Sequence, residues 1–249
     1  MSYPLPNAWE LARRRLELLE ACHDPTTIRH AEALGVSPGW RCLEAGAGSG
    51  SFARWLAART DSVVAADIDV RLLEQLDEPN LEVRQMDLVT DDLPAAAFDF
   101  VHCRMVLMHM PERDDVLARL ATAVRPGGVL LVEEGVIHPI LSIATGAYLE
   151  AWQAFHDTMR ELGVDPHWAV DLPQRLDALG LLGVGAEFDG ELFRGGSEPA
   201  EFWSLSWLQV RDRIGRPEVV DRGREVLADT SRWFHGSGTI VAWGRAPGG

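Results

Sequence analysis

The stretch Leu43-Glu44-Ala45-Gly46-Ala47-Gly48-Ser49-Gly50-Ser51 joins a short, mainly apolar run to a segment of helical spacing, and its glycines fall at every second position. Residues 41–45 end at a glycine as a buried strand does, and Ser51-Phe52-Ala53-Arg54-Trp55-Leu56-Ala57 carries apolar residues at helical spacing. Strand, glycine turn and helix start together make a ligand site. Glycine accepts positive φ and lets backbone come close to a ligand, and the first amides of a helix lack helical partners and point toward it. The spacing then narrows the ligand. A dinucleotide fingerprint counted from Gly46 needs a third glycine where this chain has Ser51, and a phosphate loop needs Lys-Ser or Lys-Thr, which does not follow.

Glu44 followed by Gly46, Gly48 and Gly50 resembles the first motif of the class I S-adenosylmethionine (SAM)-dependent methyltransferases. SAM has no phosphate but carries an ammonium, a sulfonium and a ribose diol, so carboxylates near the loop suit it. The resemblance continues in order across residues 41–134. Ser62-Val63-Val64-Ala65-Ala66-Asp67 reads as a second buried strand ended by an acid about 20 residues past the loop, the place from which a carboxylate accepts from a ribose diol. Asp67 is the candidate, with Ile68 beside it and Asp69 in reserve. Leu81-Glu82-Val83-Arg84-Gln85-Met86-Asp87 ends in another acid, and the resemblance puts Asp87 at the adenine amino group, a donor, with Leu88 on the ring. Phe98-Asp99-Phe100-Val101-His102-Cys103-Arg104 resembles the fourth motif and implies cofactor contacts from Cys103 and Arg104. Leu107-Met108-His109-Met110-Pro111 resembles the segment facing the transferable methyl group, which places Met108 in the acceptor pocket. Arg125-Pro126-Gly127-Gly128 breaks the helix 111–124 before the strand 129–133 and strengthens the match. The resemblance implies a Rossmann-like α/β fold whose seven-stranded, mostly parallel sheet ends in an antiparallel strand inserted between the fifth and sixth; segments 186–193 and 239–243 read as those last two strands.

The chain has 249 residues and 47% apolar content, enough for one large α/β domain with a cap. The expected organisation is an N-terminal helical lid at 1–37 and a SAM-binding domain at 38–249, with helical cap insertions at about 138–170 and 198–234. A formal net charge of −15 argues against nucleic acid as a partner. No apolar run reaches the roughly 18 residues of a membrane span, and the first residues lack the order of a signal peptide. The expectation is a cytoplasmic monomer or homodimer with no membrane partner. The three cysteines are odd in number and far apart, as reduced thiols would be.

Residues 7–22 read as a helix, with Asp24-Pro25-Thr26 breaking it before a second helical run that ends at Gly35. With Tyr3 and Arg15, this segment resembles the N-terminal lid that closes over SAM in bacterial small-molecule methyltransferases. A long helix over 141–162 carries Trp152, Phe155, His156 and Met159 on one face, and Trp203 and Trp207 share a face of a later helix. These six, less the histidine, are the candidate acceptor wall, a role that competes with core packing.

The sulfonium already activates the methyl group, so the protein has to align a nucleophile, exclude water and, where needed, remove a proton. His109 and His156 are the candidate bases. No metal is expected, because Cys103 and Arg104 stand at the strand end where a divalent cation would need carboxylates. The Asn/Asp-Pro-Pro-aromatic signature of adenine- and glutamine-methylating enzymes does not occur. The reading is SAM-dependent methylation of a small, flat, largely apolar metabolite, with S-adenosylhomocysteine as product. The alternatives are a SAM-binding regulator or scaffold without catalysis and, disfavoured by Ser51, a nucleotide-dependent oxidoreductase.

Overall fold

The computed structural model describes residues 5–248, apart from the side chain of His138. A Rossmann-type alternation builds the sheet from β1 (Arg41–Ala45), β2 (Ser62–Asp67), β3 (Leu81–Gln85), β4 (Phe98–Arg104) and β5 (Val124–Val136), all parallel. β6 (Leu182–Arg194) and β7 (Trp233–Arg245) complete the order β3-β2-β1-β4-β5-β7-β6. β7 is antiparallel to both neighbours. Every residue of β4 is buried, as a strand covered on both faces should be. One face packs against α3 (Arg113–Ala123) and α6 (Leu172–Ala178); the other packs against α2 (Ser51–Ala57) and α1 (Ala12–Leu34). The strand order reverses between β1 and β4, and ligands of open α/β sheets bind outside the carboxyl ends at such a point.

Three segments depart from the sequence reading. Asp24-Pro25-Thr26 does not interrupt a helix, because α1 runs through Pro25 for 23 residues. A mid-helix proline costs about 3 kcal/mol, and tertiary contacts on its flanks offset it. Arg104 donates to Asp24 (2.8 Å) and to the Thr27 hydroxyl (2.7 Å), Thr27 donates to Glu133 (3.0 Å), and Thr26 donates to Asp189 (2.8 Å). The helix expected over 141–162 is two, α4 (His138–Ile143) and α5 (Gly146–Glu161), parted where Ala144 and Thr145 are extended and Gly146 takes φ +59°. The last two strands are each 13 residues long. Beyond the part of β7 that pairs with β5, β6 and β7 continue as a two-stranded antiparallel ribbon, and Phe193 and Phe234 near its end pack against the cap.

The cap has its own apolar core. α5 crosses α7 (Glu198–Val210) and α8 (Pro217–Leu227), and Tyr148, Trp152, Phe155 and Trp207 interlock at ring-centroid distances of 5.6–6.3 Å. α8 comes close to α5 because Gly223 has no side chain: a Cβ there would lie 2.4 Å from that of Ala151. No helix among the described residues is long and apolar enough to cross a membrane.

Candidate functional site

The carboxyl ends of β1 to β5 open into a cavity of about 480 Å³ that runs from the glycine loop to the cap. That size is ordinary for a small-molecule site. Gly46, Gly48 and Gly50 all take positive φ, at +77°, +61° and +89°. A Cβ on Gly46 would lie 2.2 Å from a methyl of Val106, so the loop and the segment after β4 touch only because that glycine is bare. A Cβ on Gly48 would point toward Leu16 and Glu20, which also line the cavity.

The loop amides are not free, contrary to the expectation from the motif. Gly46 and Ala47 donate to the Ala66 carbonyl (2.8 and 3.0 Å), Gly50 donates to Ala47 (2.9 Å), Gly48 donates to the Asp67 carboxylate (2.9 Å), and Ser49 donates to Glu20 (3.2 Å). Ser49 also donates its hydroxyl to Glu20 at 2.6 Å. A phosphate at this loop would have to displace two carboxylates. Burial raises both Asp67 and Glu20, while the loop's donors pull each toward the anion.

Asp67 ends β2, accepts from the Gly48 and Asp69 amides, and borders the cavity with Ile68. Asp69 instead caps the turn at residues 70–72 and pairs with Arg71. Asp87 ends the β3 unit, accepts from the Val89 amide and lines the cavity with Met86 and Leu88. A half-buried carboxylate on each of two adjacent strand ends, with apolar groups between them, suits a ribose diol and a heteroaromatic ring.

Glu44 lines the cavity from beneath the loop and is hydrogen-bonded to His102 Nδ1 at 2.7 Å, while His102 Nε2 meets Glu133 at 3.3 Å. Burial alone would lower the imidazole, but the two carboxylates outweigh it and hold it up at about 9. Glu133 is raised by burial and more strongly lowered by His102, Arg104 and Thr27, to about 2. Arg104 lines the same cavity and ties this chain of charges to Asp24 of α1.

α1 presents Arg15, Leu16, Leu19, Glu20 and His23 to the cavity. The sequence reading named Arg15 alone on this helix as a cofactor contact, although Leu16, Leu19, Glu20 and His23 keep the i, i+3, i+4, i+7 spacing of one helix face. Tyr3 lies outside the described residues. Cys103 and Gly50 do not border the cavity. Cys103 is fully buried in the sheet core, where burial pushes its thiol up, and a Cβ on Gly50 would face Leu73 and Leu76.

On its cap side the cavity meets Met108, Trp152, Phe155, His156, Met159 and Trp203, residues that the sequence reading assigned to the acceptor wall or to catalysis. Trp207 is turned into the cap core and is fully buried. Trp152 is also fully buried, with Trp203 4.3 Å away, so it supports the wall as well as bordering the cavity. His156 Nδ1 lies 3.3 Å from Asp157, and the ring packs edge-on against His167. His109 lies at the boundary of the two halves. Burial, reinforced by Arg15 and Arg113, lowers it to about 3, which makes it a weak proton acceptor. No group of three or more His, Cys, Asp or Glu among the described residues is placed to hold a metal ion.

A family profile described as "Methyltransferase domain" matches residues 43–132, the block that carries the glycine loop and the ends of β1 to β4. Residues 43–132 of the chain are thus a methyltransferase domain, of the class I SAM-dependent type. Methyltransferase GfsG of Streptomyces halstedii is 29% identical over 165 residues, which cover 63% of this chain and 59% of that relative's own length. Among solved structures, YcgJ of Bacillus subtilis superposes with a TM-score of 0.67 at 15% identity, covering 91% of this chain and all of that one. The [4+2]-cyclase SpnF superposes with a TM-score of 0.56 at 21% identity, covering 91% of this chain and 81% of that one. At these identities the two structures establish a shared fold. The matched block supplies the glycine-loop side of the cavity wall, while α1, α5 and α7 lie outside it.

Proposed function

We propose that the protein transfers the methyl group of SAM to a small, largely apolar, aromatic acceptor at oxygen, nitrogen or carbon, in bacterial secondary metabolism. The observation that carries the donor assignment is the state of the glycine loop. The amides of residues 46–50 all have acceptors within the protein, two of them the carboxylates of Glu20 and Asp67, so the loop suits a cationic ligand and repels a diphosphate. Bound SAM would supply an already activated methyl group. In this reading Asp67 holds the ribose, Asp87 and Leu88 receive the adenine, and Gly46, Gly48, Glu44, Ile68, Arg15 and Arg104 surround the remainder.

The rings on α5 and α7, with the Met159 thioether, favour a planar acceptor and exclude water from it. His156 is the base where a proton must leave, since His109 is held neutral at too low a value to compete. Within the lid expected over 1–37, α1 and the described residues that precede it cover the domain 38–249. The protein acts in the cytoplasm as a monomer or homodimer. The fold shared with the cyclase SpnF keeps a second reading in play, a SAM-binding protein whose chemistry is not methyl transfer.

Turnover of methyl-labelled SAM against a panel of phenols, anilines and activated carbon acids separates the two. Label transfer, with a rate that falls in His156→Gln at neutral pH and recovers as the acceptor ionises, supports the first. Binding of S-adenosylhomocysteine with no label transferred to any of the panel supports the second.

A further inference from the structure

Near its carboxyl end β5 carries two adjacent buried carboxylates, Glu133 and Glu134, that point to opposite faces of the sheet. Glu133 belongs to the His102 and Arg104 network. Glu134 accepts from three consecutive backbone amides, those of Val106 (3.0 Å), Leu107 (2.7 Å) and Met108 (3.2 Å). These amides open the 3-10 turn at Leu107–His109, where helical geometry provides them no partner.

The segment 105–110 is fixed at both ends. Met105 takes φ +55°, unusual for a residue other than glycine, while donating to the Glu133 carbonyl at 2.8 Å. At the far end Asp165 donates to the Met108 carbonyl (2.9 Å), and Arg113 donates to the carbonyls of Met110 and Gly163. Between these ends, Val106 abuts Gly46 of the donor loop, and the Met105 and Met108 sulfurs lie over Gly135. Five of the six residues line the cavity, Leu107 excepted.

We propose that Glu134 is a positioning residue, whose carboxylate holds the segment 105–110 at the height where Val106 closes on the donor loop and Met108 and His109 reach the acceptor. This inference rests on the methyltransferase reading of the cavity. Charged and titratable groups facing Glu134 are Arg113 of α3, which favours the carboxylate, and the Cys103 thiol of β4, which burial and Glu134 itself push up; His109, on the segment that Glu134 holds, is lowered to about 3 by burial, Arg15 and Arg113. Burial raises Glu134 to about 7 against the pull of the three amides. Raising the pH through neutrality therefore forms the anion that the amides hold.

The test uses the full chain and S-adenosylhomocysteine, with calorimetric affinity measured from pH 6 to 8. Wild type should bind more tightly as pH rises. Glu134→Gln, close in size but unable to ionise, should bind about tenfold more weakly at pH 8 and lose the pH dependence, and Glu134→Asp should recover part of both. Equal affinity and an unchanged pH profile in a folded Glu134→Gln variant would overturn the proposal and leave the residue with a purely structural role. Wild type that fails to bind the probe at all would instead sink the methyltransferase reading. Should Glu134→Gln not fold, hydrogen exchange on wild type decides: protection of the Val106, Leu107 and Met108 amides, corrected for intrinsic rate, should increase from pH 6 to 8, and a flat profile contradicts the proposal.

Discussion

Between the glycine loop and Asp87 the polar part of the cavity wall is backbone and carboxylate, fixed by hydrogen bonds at the strand ends, whereas beyond Met108 the wall is mainly the rings of α5 and α7 and the Met159 thioether. The donor half owes its shape to local geometry: positive φ at three glycines, and a strand that ends in an acid. The acceptor half owes its shape to packing, since Trp152 and Phe155 are core residues of the cap as well as cavity wall. Substitutions should therefore have opposite signatures, with ligand affinity lost on one side and stability on the other.

The largest effect is expected in the acceptor half. Trp152→Ala removes a fully buried indole that contacts Tyr148, Phe155, Trp203 and Trp207, and should lower unfolding stability by about 3–5 kcal/mol. Affinity for S-adenosylhomocysteine in the folded fraction should stay near wild type. Denaturant unfolding reads the first and calorimetry the second. A variant as stable as wild type would mean that the cap tolerates the cavity and that the indole is there for the acceptor alone.

Next comes the hinge of charges between the halves. His102 has a folded pKa of about 9, above its unfolded value of about 6.5. Its contribution is therefore complete below pH 6.5 and lost as pH rises through 9, by on the order of 3 kcal/mol. Glu133, lowered to about 2, contributes in the opposite sense: its share is present above the unfolded value near 4.5 and lost as pH falls toward 2. Urea unfolding of wild type at pH 6.5 and 9 should show the alkaline loss, and His102→Gln should not show it. A wild-type stability that is flat over this interval would mean that the imidazole is neutral between its two carboxylates.

The sequence made the donor half readable because its signals are short-range. Glu44, the three glycines, Asp67 and Asp87 sit at fixed offsets from strands that periodicity reveals, and all but Gly50 reach the cavity. What periodicity cannot show is a partner from a distant segment. Glu20 closes the glycine loop from α1, His102 takes the Glu44 carboxylate, and Glu134 holds the amides after β4, and each is an acid or imidazole in an unremarkable sequence context. The same blindness explains Pro25, read as a helix break because its anchors Arg104, Glu133 and Asp189 are far along the chain. Trp203 and Trp207 lie one helical turn apart with like chemistry, yet one borders the cavity and the other fills the core, a distinction set by where α8 packs.

In the donor half, Asp67→Ala should weaken S-adenosylhomocysteine binding by roughly 1.5–3 kcal/mol, the range for hydrogen bonds to a charged group. The fold should survive, because Asp67 is only half-buried and its strand is held by β1 and β3. Unchanged affinity by calorimetry would take Asp67 out of the site. A collapse of stability like that of Trp152→Ala would erase the contrast between the halves.

The smallest effect should come from chelation. The carboxylates around the glycine-loop end of the cavity already have partners. Glu44 and Glu133 hold His102, Asp24 holds Arg104, Asp67 accepts from two amides, Asp87 accepts from one, and Glu134 accepts from three. A divalent cation requires about six oxygens converging on one point, and it would have to settle beside the Arg104 guanidinium and a protonated His102. The acceptor half offers rings and thioether sulfurs, which are poor ligands for magnesium or calcium. Label transfer from SAM, or S-adenosylhomocysteine affinity while no acceptor is known, should thus be the same with EDTA as without it. Loss on chelation with recovery on added magnesium would show that oxygens now tied to His102 and the loop amides rearrange around a metal, and the division between a carboxylate half and a metal-free aromatic half would have to be redrawn.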